Sequence, residues 1–395
     1  MKTIYIITSL VSIGISAGAQ GTWIQKAIFG GNSRYGAVGF SIGAKGYIGT
    51  GRATSGDKKD FWEWDQASNI WTQKSDFAGS ARRNAVGFSI GTKGYIGTGR
   101  GGPFMQDFWE YDPATNSWTQ KANFLGAARA YAVGFSIGNK GYIGTGRDAN
   151  NFFKKDFWEY DQTANSWTQK TDLGGVARSG ATGFSISTKG YIGTGEDTTS
   201  TYLQDFWEWD QATNSWGKKA DLSGIARYNA VGFSIGTKGY IGIGLNLLPK
   251  QDFWEWDQST NAWSQKADFS GTARYYAVGF SISNKGYIGT GDDFSNKQDF
   301  WEYSPSVTFV NELNYENPVS IYPNPFSTQA TFSLSREVKS TLLLIYDISG
   351  KEVRSISFSD KQVTFERENL STGTYFYQIV SEEKNISNGQ LVISP

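Results

Sequence analysis

The chain has 395 residues, 37 basic against 37 acidic, 16% aromatic residues and 48 glycines, and contains neither histidine nor cysteine. Without cysteine there are no disulfides, thiolate nucleophiles or Cys-based zinc sites, and without histidine the usual general base and commonest metal ligand are gone. Zero net charge with no long run of either sign argues against nucleic acid as a partner, and rings plus glycine make the composition of an all-β protein.

The chain opens on "MKTIYIITSLVSIGISAGAQ". A charged Lys2, a short apolar core over 4–15 and the small residues Ala17-Gly18-Ala19 predict a secretory signal peptide over 1–19, with Gln20 as the mature N-terminus. The apolar run is short for a membrane span, and no other segment approaches that length. The mature form is therefore expected to have no transmembrane segment.

Repeats follow. An Asp-Phe-Trp-Glu-aromatic cassette begins at Asp60, Asp107, Asp156, Asp205, Asp252 and Asp299. "GFSI" opens at Gly39, Gly87, Gly134, Gly183, Gly232 and Gly279, and "GYIG" at Gly46, Gly94, Gly141, Gly190, Gly239 and Gly286. A further tryptophan marker falls at Trp23, Trp71, Trp118, Trp167, Trp216 and Trp263. In the second unit these markers predict four short strands: "AVGFSI" (85–90), "GYIGTG" (94–99), "DFWEYD" (107–112) and "SWTQ" (117–120), with turns at "GTK" and "PATN". Four strands in a period of roughly 48 residues make a propeller blade.

A Gly-rich inner pair followed by a Tyr/Asp strand and a Trp strand resembles the kelch repeat, over about residues 21–303. The family's double glycine is here Gly97-Thr98-Gly99, or Gly242-Ile243-Gly244 in the fifth copy. The resemblance implies a kelch-type β-propeller of the galactose-oxidase-like superfamily. The phase of the copies predicts its closure. Six units supply the first three strands, five supply their own Trp strand, and the sixth Trp strand is "TWIQKA" at 22–27. A closed six-blade ring, with the N-terminal strand completing the last blade, satisfies both ends. The expected organisation is a signal peptide (1–19), a six-bladed propeller (20–304) taken as monomeric, a linker (305–318) and a small β-sandwich (319–395).

Residues repeated six times cannot give an asymmetric ligand different groups at different azimuths. The glutamates Glu63, Glu110, Glu159, Glu208, Glu255 and Glu302 are therefore read as structural, paired with a neighbouring blade's cation or backbone amides. The arginines before each inner strand (Arg34, Arg82, Arg129, Arg178, Arg227 and Arg274) are read the same way. Function is expected where the copies differ. The loops after Gly-Thr-Gly vary in length and chemistry: "RATSGDKK" (52–59), "RGGPFMQ" (100–106), "RDANNFFKK" (147–155), "EDTTSTYLQ" (196–204), "LNLLPKQ" (245–251) and "DDFSNKQ" (292–298). They share one face with the residues beside the repeated arginines. The candidate ligand-binding residues are Tyr35, Arg83, Tyr131, Tyr228, Tyr275 and Tyr276, with Arg52, Arg100, Arg147, Glu196 and Asp292, because Tyr and Arg around a concave mouth are the residue types of binding surfaces.

After Tyr303 the repeats stop, and four of eight prolines fall within 305–325. The tail reads as short strands: 320–326, "TFSLS", "TLLLIYDISGKEV" (341–353), "TGTYFYQIV" (372–380) and "GQLVI" (389–393). With Tyr322-Pro323-Asn324-Pro325, "IYDISGK", "GTYFYQI" and a final "LVI", it resembles the C-terminal sorting domain of type IX (Por) secretion cargo. A basic residue is frequent there before the last strand, where Gln390 stands here. The resemblance implies the type IX machinery as a partner of 319–395, export to the outer-membrane surface or the medium, and later removal of the domain or its exchange for an anchor.

The leading expectation is a non-catalytic binding or adhesion protein recognising an extracellular glycan or protein. Copper oxidases of the propeller superfamily use His and a Tyr–Cys cross-link, both absent. The rival is a carboxylate-dependent polysaccharide hydrolase or lyase, using Glu196, Asp197, Asp292, Asp293 or Asp148 on the same face. No cofactor or metal is expected, and Asp292-Asp293 lacks a calcium-loop spacing.

Overall fold

The computed structural model describes residues 20–305, 319–335, 340–348, 350–381 and 384–395, the side chains of 384–386 excepted. The signal peptide expected over 1–19 and nearly all of the linker expected over 305–318 lie outside the described residues. The chain divides into two compact units, 1–307 and 308–395. Every ordered element described is a strand, and no described helix is long and apolar enough to cross a membrane.

The first unit carries six four-stranded antiparallel sheets among its described residues. In the second, Val86–Ile90, Lys93–Gly97, Phe108–Asp112 and Ser117–Lys121 lie side by side in chain order. The turns explain the register. The first hairpin reverses on a left-handed residue, Gly91 at φ 57°, and the last on Asn116 at φ 51°, the two residue types that adopt this conformation most cheaply. Phe88, Tyr95, Glu110 and Thr119 then stand opposite one another across the sheet.

Both faces of each sheet are covered, so the cassette does not show a simple buried-exposed alternation. Phe108 packs against Tyr160 and Trp167 of the following repeat, with ring centroids 4.8 and 5.0 Å apart. Tyr111 meets Phe61 of the preceding one at 4.8 Å. Glycine is required where two sheets approach closely: a Cβ on Gly94 would lie 2.5 Å from the Phe40 side chain.

The same contacts link the last repeat to the first. Phe300 packs on Trp64 and Trp71 at 5.1 and 5.2 Å. The first strand, Thr22–Gln25, pairs with Phe300–Ser304, placing Trp23 opposite Tyr303 and Gln25 opposite Trp301. Trp23 also packs on Phe253 at 5.1 Å and Phe269 at 5.0 Å, and its indole N–H donates to the Ala267 carbonyl at 3.1 Å.

In the second unit a three-stranded sheet (Val319–Tyr322, Gln329–Leu334, Gln362–Glu366) and a four-stranded sheet (Glu352–Phe358, Thr341–Tyr346, Gly373–Ser381, Lys384–Ile393) share one core. That core includes Phe332, Phe365, Leu343, Ile345, Ile379 and Leu391. The run 341–353, within which "IYDISGK" is read as a strand and turn, holds one strand and the start of a second, Thr341–Tyr346 and Glu352–Phe358, paired antiparallel. Between them the Asp347 amide donates to the Lys351 carbonyl and the Gly350 amide to the Asp347 carbonyl. The strand Gln362–Glu366 was not anticipated.

Candidate functional site

The repeated charged residues are spent on the scaffold. Each repeated arginine is fully buried and grips the first residue of its own cassette through two hydrogen bonds: Arg82 Nη1 and Nη2 lie 2.6 and 2.7 Å from the two carboxylate oxygens of Asp107. Trp109 donates its indole N–H to the same carboxylate at 2.8 Å, and Arg82 Nη1 also donates to the Thr98 carbonyl at 2.9 Å. Burial pushes the Asp107 carboxyl up, but the Arg82 hydrogen bonds and charge, with the indole, outweigh it and hold the group below its ordinary value. Glu110 accepts from the Tyr95 hydroxyl and pairs with Lys121 at 3.6 Å. These partners belong to the same sheet, not to a neighbouring blade as expected, because Lys121 and Tyr95 sit on the strands flanking Glu110.

The variable loops are pinned at their roots. The residue after each repeated arginine pairs in antiparallel fashion with the first residue of a loop: Tyr35 with Arg52, Arg83 with Arg100, Ala130 with Arg147, Ser179 with Glu196, Tyr228 with Leu245 and Tyr275 with Asp292. All the candidates except Tyr131 and Tyr276 stand on this collar, and all are half-buried.

Tyr131 and Tyr276 lie one residue further along, on an inner ring of backbone. Gly36, Asn84, Tyr131, Gly180, Asn229 and Tyr276 occupy equivalent positions, all at positive φ. Each donates its amide to the carbonyl of the preceding member, Gly36 returning to Tyr276, over 2.7 to 3.2 Å. These six residues, each followed by alanine, line a cavity of about 140 Å³.

Several candidates are brought together here. The Tyr276 ring lies 5.5 Å from Tyr35, 6.0 Å from Tyr131 and 4.9 Å from Tyr275, and the Arg147 guanidinium stacks 4.7 Å over Tyr131. Tyr228 stacks instead on Tyr202, at 5.1 Å and 10°. Burial, then the neighbouring tyrosines, push the Tyr276 hydroxyl well up, and burial with Tyr202 and Glu196 pushes Tyr228 up to about 12. Both are neutral hydrogen-bond donors at neutral pH.

Other candidates are engaged within their loops. Arg52 and Arg83 both pair with Asp57. Arg100 lies 5.7 Å over Phe104, and Asp292 accepts from the Phe294 amide at 2.8 Å. Three residues escaped the sequence reading: Tyr202, Asn84 and Asn229. The last two had a signal, since the second residue after each repeated arginine reads Gly, Asn, Tyr, Gly, Asn, Tyr around the copies. No group of three or more acidic side chains placed to hold a metal occurs among the described residues.

The fold and this collar define an all-β protein with a propeller-like body of repeated four-stranded sheets and a separate small β unit. Residues 320–394 match the family model of the secretion system C-terminal sorting domain (Por_Secre_tail). This domain marks the chain for export by type IX secretion, to the cell surface or the extracellular space. The structure of YjhT is similar over 69% of this chain and 94% of YjhT, with a TM-score of 0.60 and 18% identity, a likeness of fold. No curated protein matches the chain.

Proposed function

We propose that the chain is an exported kelch-type propeller of six blades, closed by its N-terminal strand after removal of a signal peptide, that binds an extracellular glycan or protein through its variable-loop face. The observation that carries this reading is the collar. Tyr35 and Tyr275 of the collar pack on Tyr276, and Arg147 packs on Tyr131, the two tyrosines of the inner ring, while the repeated arginines and glutamates are consumed by the scaffold. Aromatic and guanidinium groups on a rigid rim offer contact area at low conformational cost.

Carboxylate catalysis has less support. Asp148, Asp197 and Asp293 are held below the ordinary carboxylate value, their hydrogen-bond partners and nearby cations outweighing burial, whereas a glycosidic general acid needs a raised one. The test is retention of the purified chain on a glycan array and against surface-protein extracts. Tyr275→Ala and Arg147→Ala are each expected to weaken a retained ligand by about tenfold or more. Polysaccharide turnover that vanishes in Glu196→Gln would instead favour the enzyme.

A further inference from the structure

A cleft of about 620 Å³, a volume within the range of small-molecule sites, opens beside the first sheet (Val38–Ile42, Lys45–Gly49, Phe61–Asp65, Ile70–Lys74). It shares no lining residue with the ring cavity. Its lining includes Asn32 of the segment leading into the sheet, Lys58 and Lys59 at the end of the loop 52–59, and Trp62, Gln73 and Asp76.

Comparison of the six copies shows what is particular to this place. Gly30, also on the lining, stands where the others carry Ala78, Leu125, Gly174, Ser223 and Ser270. A Cβ on Gly30 would lie 2.6 Å from the Trp62 ring, and without one no side chain at this position covers the indole. Lys59 stands where Gln106, Gln251 and Gln298 donate their carboxamides to backbone carbonyls. The third copy repeats the two lysines but has Leu125, and the fourth repeats the glycine but has Leu203 and Gln204. Only the first copy combines them.

Neither Lys58 nor Lys59 has a side-chain partner among the described residues, whereas Lys154 and Lys297, at the place of Lys58, pair with Asp148 and Asp293 at 2.7 and 2.6 Å. Gln73 and Asp76 are exposed and likewise unpartnered. The other two carboxylates of the lining are taken: Asp57 by Arg52 and Arg83, Asp60 by Arg34. Asp60 also accepts the Trp62 N–H at 2.8 Å, so the indole has only its ring surface to offer. Ammonium groups only donate, a carboxylate only accepts, and a carboxamide does both. Two free cations against one free carboxylate select an anion, and Asp76 with Gln73 select hydroxyls on the same molecule.

We infer that this cleft binds an acidic sugar unit, its carboxylate on Lys58 and Lys59, its hydroxyls on Asp76 and Gln73 and its C–H face on Trp62. A bare anion leaves Asp76 and Trp62 unused, and a neutral sugar leaves the lysines unused. The site is separate from the collar and does not depend on it.

The test is a calorimetric titration of the full chain with glucuronate, glucose and acetate. Glucuronate should bind saturably and more weakly as salt is raised, with glucose and acetate each about tenfold or more weaker. The double variant Lys58→Met, Lys59→Gln installs the residues of the second copy, Met105 and Gln106, so its melting temperature should be unchanged while glucuronate binding falls about tenfold or more. Acetate binding as well as glucuronate would reduce the cleft to an anion site, and glucose binding as well would remove the lysines from it. Either result overturns the inference, as does glucuronate binding that is absent or is unchanged in the double variant. Array retention that is lost in Tyr275→Ala, with no glucuronate binding, would overturn the cleft and leave the collar. Saturable glucuronate binding in a chain whose array retention ignores Tyr275 and Arg147 would do the reverse.

Discussion

Six buried arginines without a compensating network would unfold this protein, since an unpaired buried charge costs several kcal/mol. The Arg82–Asp107 pair, with the Trp109 indole and Thr98 carbonyl, shows how each is met. Asp107→Asn keeps the shape but strands the cation, and is expected to cost about 3 kcal/mol in denaturant unfolding. The pH dependence follows from the same residues. Asp60, Asp107, Asp156, Asp205, Asp252 and Asp299 are all depressed below their unfolded value. Their contribution is complete above the ordinary carboxylate range and is lost as pH falls through the folded values. Melting temperature should therefore be flat from neutral pH to about 5 and drop steeply below about 4. A threonine gives the opposite lesson. The Thr98 hydroxyl is buried without a partner, and the fifth copy places Ile243 at the same positive-φ position. Thr98→Val is expected to be neutral or stabilising by about 1 kcal/mol, read from the same unfolding curves.

The N-terminal strand is held by four paired residues, by Trp23 against Phe253, Phe269 and Tyr303, and by an ion pair from Lys26 to Glu302 at 3.4 Å. It repeats what Ser117–Lys121 does in its own sheet, with the difference that nothing covalent joins it to its partner strand nearby in sequence. Trp23→Ala should cost about 3 kcal/mol, as Trp71→Ala should, by the loss of a packed indole. Removal of residues 20–27 should go further, exposing the edge of Phe300–Ser304 and making the last sheet the first site of limited proteolysis. These strands were legible because both faces of a repeated unit leave their mark six times over. In the second unit, where each strand occurs once, the run 341–353 showed a strand and a turn at "IYDISGK" but not the extent of the strand after it. Only the hairpin at Asp347 separates "TLLLIY" from "EVRSISF", and Asp-Ile-Ser-Gly is a turn signal with no second copy to confirm it.

For the whole molecule, export belongs to the second unit, and the binding proposed above belongs to the first. A chain lacking residues 320–394 is expected to keep the body's melting transition, because each unit has its own core, while failing to reach the cell surface or medium in a cell-fractionation assay. The sequence by itself determined the class of fold, the strand content of the repeats, the structural part played by the repeated Arg and Glu, and the sorting tail. Those properties are periodic or local, so they are written in every copy or in one contiguous motif. Tertiary structure alone decided which variable residues meet. Tyr35, Tyr131 and Tyr276 stand just before the first strands of three different sheets, Tyr202 reaches Tyr228 through a loop, and the carboxamides of Asn84 and Asn229 become partnerless donors only when the backbone ring buries them. A position around a ring is a distance through space between residues far apart in the chain, and no local pattern carries it.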